Sequence, residues 1–127
     1  MRRSYVYRLY PSQAQTRQME RILTTCRYFY NDLLAERKDA WEQRGETIGK
    51  TAQLRHVKER KATNLHAAPV HSHILQVVVA DLDRAFQAFF RRMTAGETPG
   101  YPRFRGAHRW RSFGLKELDA VVTREIN

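Results

Sequence analysis

One cysteine, Cys26, stands among 127 residues. An intrachain disulfide and a cysteine-cluster zinc site are therefore excluded, and Cys26 is expected to be a small buried apolar residue. Long apolar runs are lacking too. No stretch approaches the roughly 18 residues that cross a bilayer, and the opening Met1-Arg2-Arg3-Ser4-Tyr5 has no apolar signal region. Nor is there a basic amphipathic membrane helix or a lipidation signal. The expectation is a protein of the cytoplasm and nucleoid with no membrane partner. Acidic residues are scarce as well, 13 Asp and Glu against 23 Lys and Arg, which leaves a formal charge of +10. A single small domain so charged collects polyanions, and nucleic acid, DNA and/or structured RNA, is the leading partner.

The residues that enzymes need are also missing. Asp81 and Asp83 are two apart on a predicted helix and so face different ways, which does not make a two-metal clamp. They are expected to be solvated or paired with Arg84. His66, His71 and His73 cluster around a loop without a fourth ligand or a nearby acid, and no glycine-rich phosphate loop is present. The expectation is no catalytic residue, no metal, no cofactor and no enzyme activity.

What is present is mostly helical periodicity. Residues 2–10, aromatic and β-branched up to Pro11, read as a short strand. Ser12 then caps a long stretch in which Met19, Ile22, Leu23, Cys26, Phe29, Tyr30, Leu33 and Leu34 recur at spacings of three and four. Thr24-Thr25 leaves open whether this is one helix or two; the pattern runs on through Trp41 to Arg44, and Gly45 ends it. Thr51 to Lys61 reads as a short polar helix carrying Arg55 and Lys58. Ser72 is placed to cap a second long helix with Leu75, Val78, Val79, Leu82, Phe86, Phe89, Phe90 and Met93 on one stripe. The two stripes should pack together.

From Gly96 onward, Pro99, Gly100, Pro102 and Gly106 exclude a long helix. Residues 98–116 carry Arg103, Arg105, Arg109, Arg111 and Lys116 with no Asp or Glu, a charge of +5 that is half of the total excess. Tyr101, Phe104, Trp110 and Phe113 interleave with these cations. Arginine forks suit phosphate, while aromatic faces stack on bases or pack inward. The alternative is an edge strand with core aromatics and merely solvated arginines. The long absence of acidic residues favours binding. Arg2, Arg3 and Arg8 beside Tyr5, Tyr7 and Tyr10 repeat the mixture in miniature, and Arg55 with Lys58 adds a basic helical face.

Several stretches together resemble a known family. They are Tyr7-Arg8-Leu9-Tyr10-Pro11 with Gln15; Arg27-Tyr28-Phe29-Tyr30-Asn31-Asp32-Leu33-Leu34; Leu82-Asp83-Arg84-Ala85-Phe86-Gln87-Ala88-Phe89-Phe90-Arg91-Arg92; Gly100-Tyr101-Pro102-Arg103-Phe104-Arg105; and Ser112-Phe113. In this order and spacing they resemble the N-terminal part of TnpB (OrfB) transposon proteins, RNA-guided DNA nucleases whose N-terminal region is labelled helix-turn-helix. The resemblance implies a first strand belonging to a small β-barrel wedge, a helical recognition insert, and a basic segment returning to the barrel. It also implies that insert and wedge hold guide RNA and duplex. By position it places Gln76 where the family approaches duplex bases, and Arg103, Arg105, Arg109, Arg111 and Ser112 on the returning segment.

The expected fold is thus mainly α with minor β, an antiparallel long-helix bundle (12–94) inserted between a strand (2–10) and a basic extended segment (98–116) in a partial wedge barrel. Residues 1–116 form the nucleic-acid-binding module. Residues 117–127 form a divergent tail with a net charge of −2 and a short helix around Leu118 to Val122. The family's RuvC-like nuclease domain and zinc finger are not in this sequence, so the expectation is a truncated module, catalytically inactive on its own. A protein-interaction or regulatory fragment that self-associates or docks on a full-length relative is the alternative, with a non-functional transposase remnant as the third reading.

Overall fold

The computed structural model describes residues 5–63, 67–106, 109–115 and 120–123. Within them the chain forms α1 (Gln13–Arg44), α2 (Lys50–Arg55), α3 (Val57–Thr63) and α4 (Ser72–Thr94), followed by β1 (Ser112–Leu115) and β2 (Ala120–Thr123). The fold is mainly helical with a small antiparallel sheet. Neither glycine nor proline occurs between Ser12 and Arg44, so nothing interrupts the backbone ladder, and Thr24-Thr25 does not break α1. Thr25 is itself buried in the middle of the helix.

The ends of α1 follow from local chemistry. Ser12 Oγ accepts from the Gln15 amide at 3.2 Å, and Gln15 Oε1 accepts from the Ser12 amide at 2.9 Å. This reciprocal box satisfies donors that the first turn leaves unpaired. At the other end Gly45 turns left-handed at φ 62°, where a side chain would be strained, and its amide donates to the Trp41 carbonyl at 3.0 Å. The cap of α4 differs from expectation. His71, not Ser72, is the cap, its ring nitrogen accepting from the His73 amide at 3.1 Å.

α1 and α4 pack face to face. Cys26, Phe29, Tyr30, Leu33 and Leu34 meet Leu75, Val78, Val79, Leu82 and Phe86, while Val57, Ala67 and Val70 close the core. Each large side chain so buried contributes about 1.5–3 kcal/mol. The stripe of α4 outruns the core, since Phe90 and Met93 are exposed. One charged residue among those described lies inside: Arg37, 6% exposed, donates through Nε to Gln53 Oε1 at 2.8 Å and through Nη2 to Asp83 Oδ1 at 3.3 Å. Gln53 Nε2 in turn donates to the Leu33 carbonyl at 3.1 Å. The guanidinium also lies 4.9 Å over the Phe86 ring. Burial lowers the Arg37 pKa, and the Asp83 carboxylate opposes that shift. This network ties α1, α2 and α4 together.

Three further expectations need correction. Residues 5–10 form no strand; Tyr5, Val6, Tyr7, Leu9 and Tyr10 are all exposed. An isolated strand leaves its backbone groups without partners, and β1 pairs with β2, not with this arm. The expected helix around Leu118 to Val122 is replaced over Ala120–Thr123 by β2, in register Ser112 with Thr123 and Phe113 with Val122. Val121, Val122 and Thr123 are β-branched, which favours a pleated edge over a helix; residues 116–119 lie outside the described residues. The single helix expected over Thr51 to Lys61 is two, parted at His56.

Candidate nucleic-acid interface

Among its described residues the basic segment has no regular structure before β1, yet it is held at defined points. Tyr101 is wedged edge-on between Phe86 and Phe89, with ring centroids 5.4 and 5.2 Å away. Burial raises the pKa of its hydroxyl. Trp110 packs on Tyr30 at 5.0 Å with the rings tilted by 55°. Phe113 also packs against the core. Three of the four aromatics therefore anchor the segment, while Phe104 stays exposed.

Between these anchors, Asn31 on α1 reaches the segment. Its Nδ2 donates to the Arg105 carbonyl at 3.0 Å, and its Oδ1 accepts from the Arg105 amide at 2.8 Å. Both backbone groups of Arg105 are thereby satisfied by one side chain. The Arg105 guanidinium lies 5.6 Å over the Tyr30 ring, a cation–π placement that keeps the fork at the surface.

Arg105, Arg109 and Arg111 line one open hollow of about 330 Å³, together with Tyr30, Trp110 and Ser112. Asp81 of α4 lines it too, and is ion-paired with exposed Arg84. Asp83, two positions on, points instead to Arg37. A second hollow of about 350 Å³ lies between the start of α1 and the turn before α4, where Arg17, Gln18 and Arg21 face Pro69 and Val70.

Of the residues expected at the interface, Arg105, Arg109, Arg111 and Ser112 share the first hollow. Arg103 is exposed on the same segment. Arg55 and Lys58 are exposed on α2 and α3, and Gln76 is half-buried on α4; none of the three lines the hollow. Arg8 lies on the exposed arm. Arg2 and Arg3 are outside the described residues, as is His66. His71 and His73 stack edge-on at 4.6 Å, and among the described residues no three His, Cys, Asp or Glu side chains gather to hold a metal. Asn31, Tyr30 and Asp81 were not expected at the site. No local signal marks them, since Tyr30 lies on the apolar stripe of α1 and Asn31 and Asp81 lie beside the stripes, where polar residues are ordinary.

An exposed aromatic arm running through a capping serine into one long helix describes the first third of the chain. Residues 1–46 match the helix-turn-helix domain of OrfB proteins of the IS605 type. No curated protein matches the chain. The OrfB-type match supports DNA binding in a transposase-related protein, and what it identifies is a binding domain, not a catalytic one. Among the described residues of the OrfB-type region the turn of that description is absent, since α1 runs unbroken through it. The hollow lies at the junction of this region with the later basic segment, because Tyr30 and Asn31 belong to α1. No helix among the described residues is long and apolar enough to cross a membrane.

Proposed function

We propose that residues 1–116 form a nucleic-acid-binding module that holds DNA, structured RNA or both through arginine side chains and carries out no chemistry itself. The convergence of Arg105, Arg109 and Arg111 on one hollow supports this reading most directly. Arg103 extends the surface along the segment, Arg8 along the arm, and Gln76, Arg55 and Lys58 contribute from the helices; Arg2 and Arg3 continue the arm's charge. Guanidinium forks match phosphate bidentately and suit a surface that tracks a backbone. The chain would work in the cytoplasm on the nucleoid, without a cofactor.

Fluorescence anisotropy of labelled duplex DNA, single-stranded DNA and structured RNA at several salt concentrations tests the reading. Neutralising about five phosphates gives a slope of log K against log salt near −4 to −5. A slope near zero refutes it.

A second reading has its own support in the arm, where Val6 is 97% and Tyr10 86% exposed. Exposed apolar residues in series suit docking on a second copy or a longer relative. Light scattering after size exclusion tests self-association: a dimer at micromolar concentration supports the docking reading, and a monomer removes docking on a second copy.

A further inference from the structure

The first hollow holds more than cations. A surface for backbone phosphate gains nothing from a carboxylate, which repels it, yet Asp81 lines the same hollow as three arginines. Its hydrogen-bond partner among the described residues is Arg84, an exposed neighbour on the same helix. An ionised carboxylate only accepts hydrogen bonds, so it selects a ligand edge that donates. A second observation points the same way. Trp110 also lines the hollow, and its indole Nε1 is buried with no hydrogen-bond partner among the described residues; an orphan donor of that kind calls for a water, an ion or a ligand group. The third is the Arg105 guanidinium, which lies 5.6 Å over the Tyr30 ring. Arg105 is exposed and its backbone is fixed by Asn31, so a planar ring can approach the guanidinium from the solvent side.

A volume of about 330 Å³ is at the small end of ligand sites and suits one nucleotide, not a duplex. We propose that this hollow receives a single unstacked guanine nucleotide of a nucleic-acid strand. The base lies on the Arg105 guanidinium, its N1–H and N2–H₂ edge meets Asp81, and the adjoining phosphate sits on Arg109 and Arg111. Guanine is the base with two adjacent donors on one edge, matching two carboxylate oxygens. Uracil and thymine present one N–H between two carbonyl oxygens, which Asp81 repels; adenine and cytosine present an amino group beside an acceptor. This assignment rests on the nucleic-acid reading and adds base selection to it.

The test is anisotropy at one fixed salt concentration with short labelled uridine runs carrying a central guanine, adenine or no purine, and with the matching thymidine runs. The guanine oligomers should bind about tenfold tighter than the plain runs, as one good bidentate base contact provides. Asp81→Asn should abolish the preference, the guanine oligomers falling to the affinity of the plain runs. Its circular-dichroism melt should be unchanged, since an exposed ion pair contributes little. Arg84→Gln should keep the preference. A preference in the ribose series alone assigns the strand to RNA, and one in both series assigns a base read without regard to sugar; each supports the site. Equal binding of all oligomers by the unaltered chain, or a guanine preference that survives Asp81→Asn, overturns it while leaving general binding intact. Absence of binding to every oligomer overturns both.

Discussion

Asn31 holds Arg105 by its backbone and not by its side chain, across 74 residues of sequence. The positioning of the fork is thus separate from its charge, and the two can be removed independently.

Asn31→Ala should release the segment around Arg105 without changing the charge of the protein. Two partly exposed hydrogen bonds lost cost about 1–2 kcal/mol of stability, measured by urea unfolding. Affinity for nucleic acid should fall by about three- to tenfold while the salt slope stays as it was, because no phosphate contact carries less charge. A flattened slope would mean that Asn31 does more than position.

Removing charge should do the opposite. Arg103 and Arg105 changed together to Ala should flatten the slope by up to about two, and Arg109 with Arg111 by a similar amount. Thermal melting should hardly move, since all four side chains are exposed. Unchanged slopes in both double variants would remove the segment from the interface.

Arg37→Ala should be destabilising by about 3–5 kcal/mol, because it strands the Gln53 carbonyl oxygen and the Asp83 carboxylate in a mostly buried setting. Arg37→Met fills much of the same volume and should recover part of that loss by packing on Phe86. Urea titration distinguishes the two variants. Equal stability of Arg37→Ala and the unaltered chain would contradict the network.

Burial pushes the Cys26 thiol up to about 12, with the Asp81 charge adding to the effect. The thiol should therefore resist alkylation at pH 8–9 until urea unfolds the chain, as followed by mass spectrometry. Stability follows the same shift. The native pKa is raised above the unfolded one, so the contribution of this group is complete below about pH 8.5 and is lost as pH rises toward the native value, by about 1.4 kcal/mol per pH unit. Cys26→Ala should flatten that alkaline decline. Rapid labelling of the folded chain would show the thiol to be accessible.

Much of the helical frame was legible in the residues. Ser12, Gly45 and the three-and-four spacing from Leu23 to Leu34 mark α1 because caps and helical stripes are local chemistry. The acid-free run from Arg103 to Arg111 pointed to the basic surface for the same reason. What remained hidden depends on distant parts meeting. Arg37 looks like any surface charge until Gln53 and Asp83 close around it, and nothing near Asn31 announces Arg105. The arm failed as a strand because strand formation needs an edge to pair with, which its alternation cannot reveal. His71 took the cap from Ser72 because its ring nitrogen accepts from the His73 amide, as a capping side chain accepts from a first-turn donor.

The unbroken α1 also acts as a ruler. A helix advances 1.5 Å per residue, so Arg21 at the second hollow and Tyr30 at the first stand about 13 to 14 Å apart along one stiff axis. A jointed pair of helices would let that interval vary with each ligand. Here it is set by residue count, and inserting one residue between them would swing one hollow around the axis by about 100° while lengthening the gap by scarcely an atom's width.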